Sequence, residues 1–215
     1  RVAIASALVA VISLFLPFLT FRENRLSTGN GMYIWEAGGF LTTMLFLVVV
    51  GSTVLLTILM RNKVRNYFLS GFLGNFMLIM AFLSVSIMAS DILAKSGENA
   101  RVSLGIGAWL FALSGYLTVM NAAKRLDAVP FLKMFVSLIG FAFLTILLVS
   151  GSLSSLSIVE EYSVRKPRFL QEMGNHLRLA GVSLGLAVLF GIPFGILAYR
   201  SRPAKSSIFA FVNTV

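Results

Sequence analysis

Six charge-free runs, each 20 to 26 residues long, divide this 215-residue chain, and the five short gaps between them and the stretch after the last hold every charged residue except Arg1. The runs are Val2 to Phe21, Ala37 to Met60, Asn66 to Ser90, Val102 to Ala123, Met134 to Val159 and Leu179 to Tyr199. A helix of 20 residues rises about 30 Å, which is the hydrocarbon thickness of a bilayer. Lipid offers no partner to a bare N–H or C=O, so a spanning segment must be a helix or part of a closed barrel. Barrel strands alternate apolar and polar residues, and these runs do not. The pattern predicts an all-α polytopic integral membrane protein with six transmembrane helices.

Composition strengthens that reading. Hydrophobic residues make up 58% of the chain and charged ones 12%, against about 45–50% and about 25% in soluble domains. The net charge of +10 would suggest a nucleic-acid partner in a soluble protein. Here the basic residues flank spans, so the charge speaks of orientation and no nucleic acid is expected. The absence of cysteine removes disulfides and thiol chemistry. His176 stands alone without carboxylate partners, so no metal, cofactor or catalytic site is expected.

The apolar stretch of Val2 to Phe21 is longer than the roughly 7–15 residues of a signal peptide and no small-residue cleavage site precedes Arg22. It reads as a span, with Pro17 bending or ending it. The chain starts on Arg1 rather than Met and stops at Val215 within an apolar stretch begun at Ser206, so it reads as a fragment.

Lysine and arginine are unevenly spread among the gaps. Arg61, Lys63 and Arg65 are clustered, as are Lys124, Arg125 and Lys133, and again Arg200, Arg202 and Lys205. The intervening gaps are more dilute: Arg22 and Arg25, then Lys95 and Arg101, then Arg165, Lys166, Arg168 and Arg178 over a longer stretch that also carries Glu160, Glu161 and Glu172. Cytoplasmic loops carry the Lys/Arg excess, which puts the dense gaps and the N-terminus in the cytoplasm. The last external gap is the longest. Its Pro167, followed by Phe169, Leu170, Met173 and Leu177 at helical spacing, predicts a short amphipathic helix that begins near the proline and feeds the sixth span. A domain boundary is expected there, between residues 1–159 and 160–215.

The spans contain no ionisable group, although proton-coupled carriers and voltage sensors need them. A secondary carrier and an intramembrane protease are both disfavoured. There is no Gly-x-x-x-x-Gly-Lys-[Ser/Thr] loop, so any ATP-driven transport needs an ATPase on another chain. Asn75, deep in the third run, reads as a helix-to-helix hydrogen bond rather than a solute contact, and Ser52, Thr53, Ser84 and Ser114 read the same way. The sixth run is the most patterned. Gly181 and Gly185, then Gly191 and Gly195, form two Gly-x-x-x-Gly pairs around Pro193, which suit close helix packing and a bend. His176, just before that run, reads as an interfacial residue at the external helix start.

Residues 169–215 resemble the opening of the permease core of binding-protein-dependent ABC importers. The similarity rests on Phe169-Leu-Gln-Glu-Met-Gly-Asn-His176-Leu177, then Ser183, Ala187, Gly191, Pro193, Gly195 and the basic Arg200 to Lys205. The branch it is most similar to imports osmoprotectants such as glycine betaine, choline and carnitine. Asn24-Arg25-Leu26 with Gly29 and Gly31 before Trp35, Ala100-Arg101-Val-Ser103-Leu-Gly105 before Trp109, and Leu156 to Tyr162 resemble the Yeh-type subset, which carries an extra N-terminal membrane domain.

The resemblance implies a permease subunit in a bacterial inner membrane: five accessory helices, then the first helix of a type I importer core. It also implies an ABC ATPase subunit, a periplasmic substrate-binding protein and a second permease subunit as partners. The family's ATPase-docking loop would lie beyond Val215, so the resemblance carries over no substrate-binding residue. A membrane scaffold or sensing module without transport of its own stands as the alternative, with a secondary carrier as a third reading.

Overall fold

The computed structural model describes residues 1–58, 64–97 and 99–201. Arg202 and Lys205 of the last basic cluster, and Arg61 and Lys63 of the first, lie outside the described residues. The chain divides into two compact units, Arg1–Glu161 and a second running from Tyr162.

Four of the six runs become helices of the first unit that are long and apolar enough to cross a membrane. They are α3 (Gly39–Ile58), α4 (Val64–Leu93), α5 (Ile106–Arg125) and α6 (Pro130–Val149). The sixth run lies inside α7 (Ser157–Arg200), a helix of 44 residues that is also long and apolar enough to span.

The first run departs from the expectation of a sixth spanning helix. Its helix α1 covers only Val2–Leu14, 13 residues, or about 20 Å against the roughly 30 Å of the hydrocarbon layer. Pro17 explains the stop, because it lacks an N–H and disfavours helical backbone at the residue before it. Past it the chain turns extended, as β1 (Leu19–Arg22).

The expectation of an all-α fold is corrected in the same place. Strand β1 is the centre of a three-stranded antiparallel sheet with β2 (Asn30–Met32) on one side and β3 (Arg101–Leu104) on the other. Two charge-free runs thus hide strand residues: Leu19 to Phe21 at the end of the first and Val102 to Leu104 at the start of the fourth. Such short strands do not interrupt an apolar run, so charge segregation alone cannot see them. A single-turn helix, α2 (Ile34–Ala37), joins the sheet to α3; the Tyr33 N–H donates to Glu36 Oε2 at 2.8 Å, and Gly39 makes the connection at φ +66°.

The core sits where α1, α3 and α5 meet the sheet. Phe18, Phe46 and Phe111 are fully buried there, with Phe18 edge-on to Phe46 at 4.9 Å and Phe46 tilted against Phe111 at 4.7 Å. The entry of α5 is moulded around the end of α1: Gly105 N–H donates to Phe18 O at 2.9 Å and Gly107 N–H to Pro17 O at 2.8 Å. A Cβ on Gly107 would lie 2.7 Å from Leu16 O. Helices α4 and α5 cross at Gly74 and Gly115, where a Cβ on either residue would come within 2.7 Å of the other's carbonyl oxygen. A second, smaller apolar cluster joins Tyr67, Val119, Ala122, Leu126 and Val136 across α4, α5 and α6.

The gaps expected outside share one end of this unit. Strands β1 and β3 pair directly, Ser86 Oγ donates to Ser152 O at 2.8 Å, and Ser157 Oγ donates to Val102 O at 2.7 Å.

In the second unit no described residue is buried. The short helix expected to begin at Pro167 is instead part of α7, which starts ten residues earlier and runs through both Pro167 and Pro193. An interior proline costs one i→i−4 hydrogen bond and crowds the carbonyl of residue i−4, yet it does not force a stop when the flanking turns are helical.

Candidate functional site

Among the described residues three polar groupings tie elements of the first unit together and bear on function. The first is at the sheet end. In a strand alternate residues face opposite sides, so Leu19 and Phe21 of β1 turn toward the core with Val102 and Leu104 of β3, while Thr20 and Arg22 turn the other way with Ser103 and Arg101. The first turn of α7 covers that outer face. Arg101 Nη2 contacts Glu160 Oε1 at 2.9 Å, and Arg25 Nη2 contacts Glu161 Oε1 at 2.8 Å.

The turn that carries Arg25 is itself braced, with Asn24 Oδ1 accepting from the N–H groups of Leu26 and Ser27, both at 2.9 Å. Arg22, Arg25, Arg101, Ser103, Ser157 and Glu161 line a cleft of about 250 Å³. Both ion pairs are partly exposed, so each contributes less than about 1 kcal/mol. Their effect is to fix the geometry of the α7 start on the sheet.

The second grouping is a hydroxyl cluster between α1 and α5. Ser6 Oγ donates to Ser114 O at 2.9 Å, Ser114 Oγ donates back to Ser6 O at 2.8 Å, and Ser6 Oγ also pairs with Thr118 Oγ1. All three residues are buried. Small residues at Ser6, Ala7, Ala10 and Ser13 give α1 a narrow face that allows this approach. The sequence carries that spacing, but the serines alone do not reveal their partners.

The third is Asn75. Its Nδ2 donates to Gly71 O on its own helix at 2.9 Å and to Val136 O on α6 at 2.8 Å. This is the helix-to-helix bond expected from the sequence. Gly140 makes room for it, since a Cβ there would collide with Asn75 Oδ1. Of the hydroxyls expected to act likewise, Thr53 reaches Met77 Sδ on α4 at 3.4 Å as well as Val49 O, and Ser114 joins α1. Ser84 instead bonds Met80 O within its own helix. Ser52 is half-buried on α3.

The residues expected to carry packing and bending in the first core helix are Gly181, Gly185, Gly191, Pro193 and Gly195, and all lie in α7. Around each of the four glycines an added Cβ would meet nothing within 4 Å. His176 is exposed on the same helix. Among the described residues no group of three His, Asp or Glu side chains converges as a metal site.

Chemically, the first unit is a helix bundle cross-linked by hydroxyl and amide hydrogen bonds and closed at one end by a charged sheet. Its buried polar residues are Ser, Thr and Asn, groups that do not titrate near neutral pH. They are suited to holding helices together and not to relaying protons.

Residues 1–159 match the family model described as the N-terminal domain of the ABC transporter permease YehY. No curated protein and no solved structure matches the chain.

Proposed function

The chain belongs to the YehY N-terminal-domain family of ABC transporter permeases, and from that membership we propose that it serves an importer of osmoprotectants such as glycine betaine. It is a multi-pass membrane permease subunit, with its five candidate spanning helices. In the proposed reading residues 1–159 form an accessory membrane domain. Residues 160–215 supply the lead-in and first helix of the permease core, with the N-terminus in the cytoplasm of a bacterial inner membrane. A separate ATPase drives transport, a periplasmic binding protein delivers solute, and a second permease subunit completes the pathway.

What supports this reading is the match of residues 1–159 to that family together with the two Gly-x-x-x-Gly pairs carried on the 44-residue helix α7. Gly-x-x-x-Gly faces admit a second backbone at close range. Gly181, Gly185, Gly191 and Gly195 are proposed to receive another helix of the core, with Pro193 setting a bend between the two pairs.

The test is uptake in proteoliposomes that contain the full-length permease and its co-purified ATPase. ATP-dependent accumulation of labelled glycine betaine, stimulated by loaded binding protein, is the expected result. Accumulation that follows an ion gradient without ATP would instead make the protein a secondary carrier. Failure to retain any ATPase subunit would favour the scaffold or sensing module.

A further inference from the structure

We infer that the sheet end of the first unit is a binding site for an anionic phospholipid, whose phosphate enters the arginine cleft while its acyl chain runs over Trp109 and Ile158. Two recesses adjoin there. The cleft of about 250 Å³ is lined by three guanidiniums, those of Arg22, Arg25 and Arg101, and one carboxylate, Glu161. Beside it lies an apolar notch of about 130 Å³ walled by Leu104, Trp109, Leu156 and Ile158, and Ser103 lines both. A cationic recess that opens through one serine into an apolar one has the shape of an amphiphile with an anionic head.

The sheet register gives a physical reason for an anion. Arg22 and Arg101 are direct partners across β1 and β3, and like charges placed opposite each other destabilise a ladder. Glu160 offsets Arg101 and Glu161 offsets Arg25, so three guanidiniums face two carboxylates and one positive charge is in excess. A phosphodiester between the two strands would remove the remaining repulsion and accept hydrogen bonds from guanidiniums, whose planar fork suits phosphate.

Location favours a lipid over a soluble ion. Trp109 lies in the first turn of α5, a candidate spanning helix, and is half exposed; Ile158, in the first turn of α7, is 64% exposed. Tryptophan at the end of a span marks the headgroup level. The apolar notch is therefore open where acyl chains begin, and the arginine cleft adjoins it through Ser103. The inference requires only that the bundle spans a membrane, so it stands apart from which solute the permease carries.

Fluorescence quenching by brominated lipid tests it. The 215-residue chain contains two tryptophans, so in the full-length permease Trp35→Phe, with any tryptophan outside this chain likewise changed to Phe, leaves Trp109 as the reporter. In phosphatidylcholine vesicles doped with brominated phosphatidylglycerol, Trp109 should be half-quenched at about fivefold lower mole fraction than with brominated phosphatidylcholine, the ratio expected for roughly one basic contact to an anionic headgroup. Arg22→Gln should erase that preference, Arg22→Lys should restore most of it, and Ile158→Asn should weaken quenching by the tail while leaving the fold intact. Equal quenching by both lipids, or an undiminished preference in Arg22→Gln, would overturn the proposal. Loss of the preference on adding millimolar inorganic phosphate would also overturn it, by showing a free-anion site without a lipid.

Discussion

Two sets of glycines in this chain differ on paper and differ in the fold, in opposite senses. Gly74 and Gly115 belong to no Gly-x-x-x-Gly pair, yet they sit at the crossing of α4 and α5, so close that neither tolerates a Cβ. Gly181, Gly185, Gly191 and Gly195 form two textual pairs, and among the described residues an added Cβ at any of them meets nothing within 4 Å. Spacing along one helix shows where a backbone could be approached. It does not say which helix comes, and a single glycine facing another across a crossing leaves no repeat to find.

Substitutions can break this contrast. The largest effect is expected for Gly115→Leu, which drives a branched side chain into the Gly74 carbonyl and Met77; overpacking of this kind costs about 3 kcal/mol, read as a lower midpoint in thermal unfolding of the detergent-solubilised protein. Asn75→Ala should cost about 1 kcal/mol by the same measurement, since interhelical hydrogen bonds within membranes contribute about 0.6 to 1.7 kcal/mol. A loss as large as that of Gly115→Leu would mean that the space left between Gly140 and the Asn75 position does not close.

Smaller again is Glu161→Gln, which removes a partly exposed ion pair with Arg25 and should shift stability by a few tenths of a kcal/mol, less at high salt. The smallest effect on folding belongs to Gly185→Leu, because a side chain there meets open space. Its thermal midpoint should match the parent within error while ATP-dependent uptake falls sharply if the glycine face receives a core helix. Unchanged uptake would show that the face is turned to lipid.

The legible and illegible parts of the fold separate along physical lines. Helices α3 to α7 are written in the charge gaps because a spanning helix must be continuously apolar and its ends must reach water. The role of Asn75 was legible too, since an amide in hydrocarbon has few alternatives to a neighbouring helix. The stop of α1 was half legible: Pro17 announces an end, but not that the next residues pair as a strand. Sheet residues 19–22 and 101–104 meet across 79 positions or more of sequence, and no local period records such a partnership. The same holds for Ser6 with Ser114 and for Arg25 with Glu161, whose types are visible and whose pairings arise only when α1, α5 and the α7 start converge.

By itself the sequence determined that this is a membrane-embedded helical chain, that its apolar runs carry no charged residue, and that its charges collect in the stretches flanking those runs. Those properties depend on the solvent each segment needs, and solvent preference is a local quantity. Tertiary structure alone decided that the residues after Pro17 pair as a strand and that a sheet closes one end of the bundle. It also decided which glycines are pressed against a neighbour, because each of these depends on which distant segment arrives to fill a given surface.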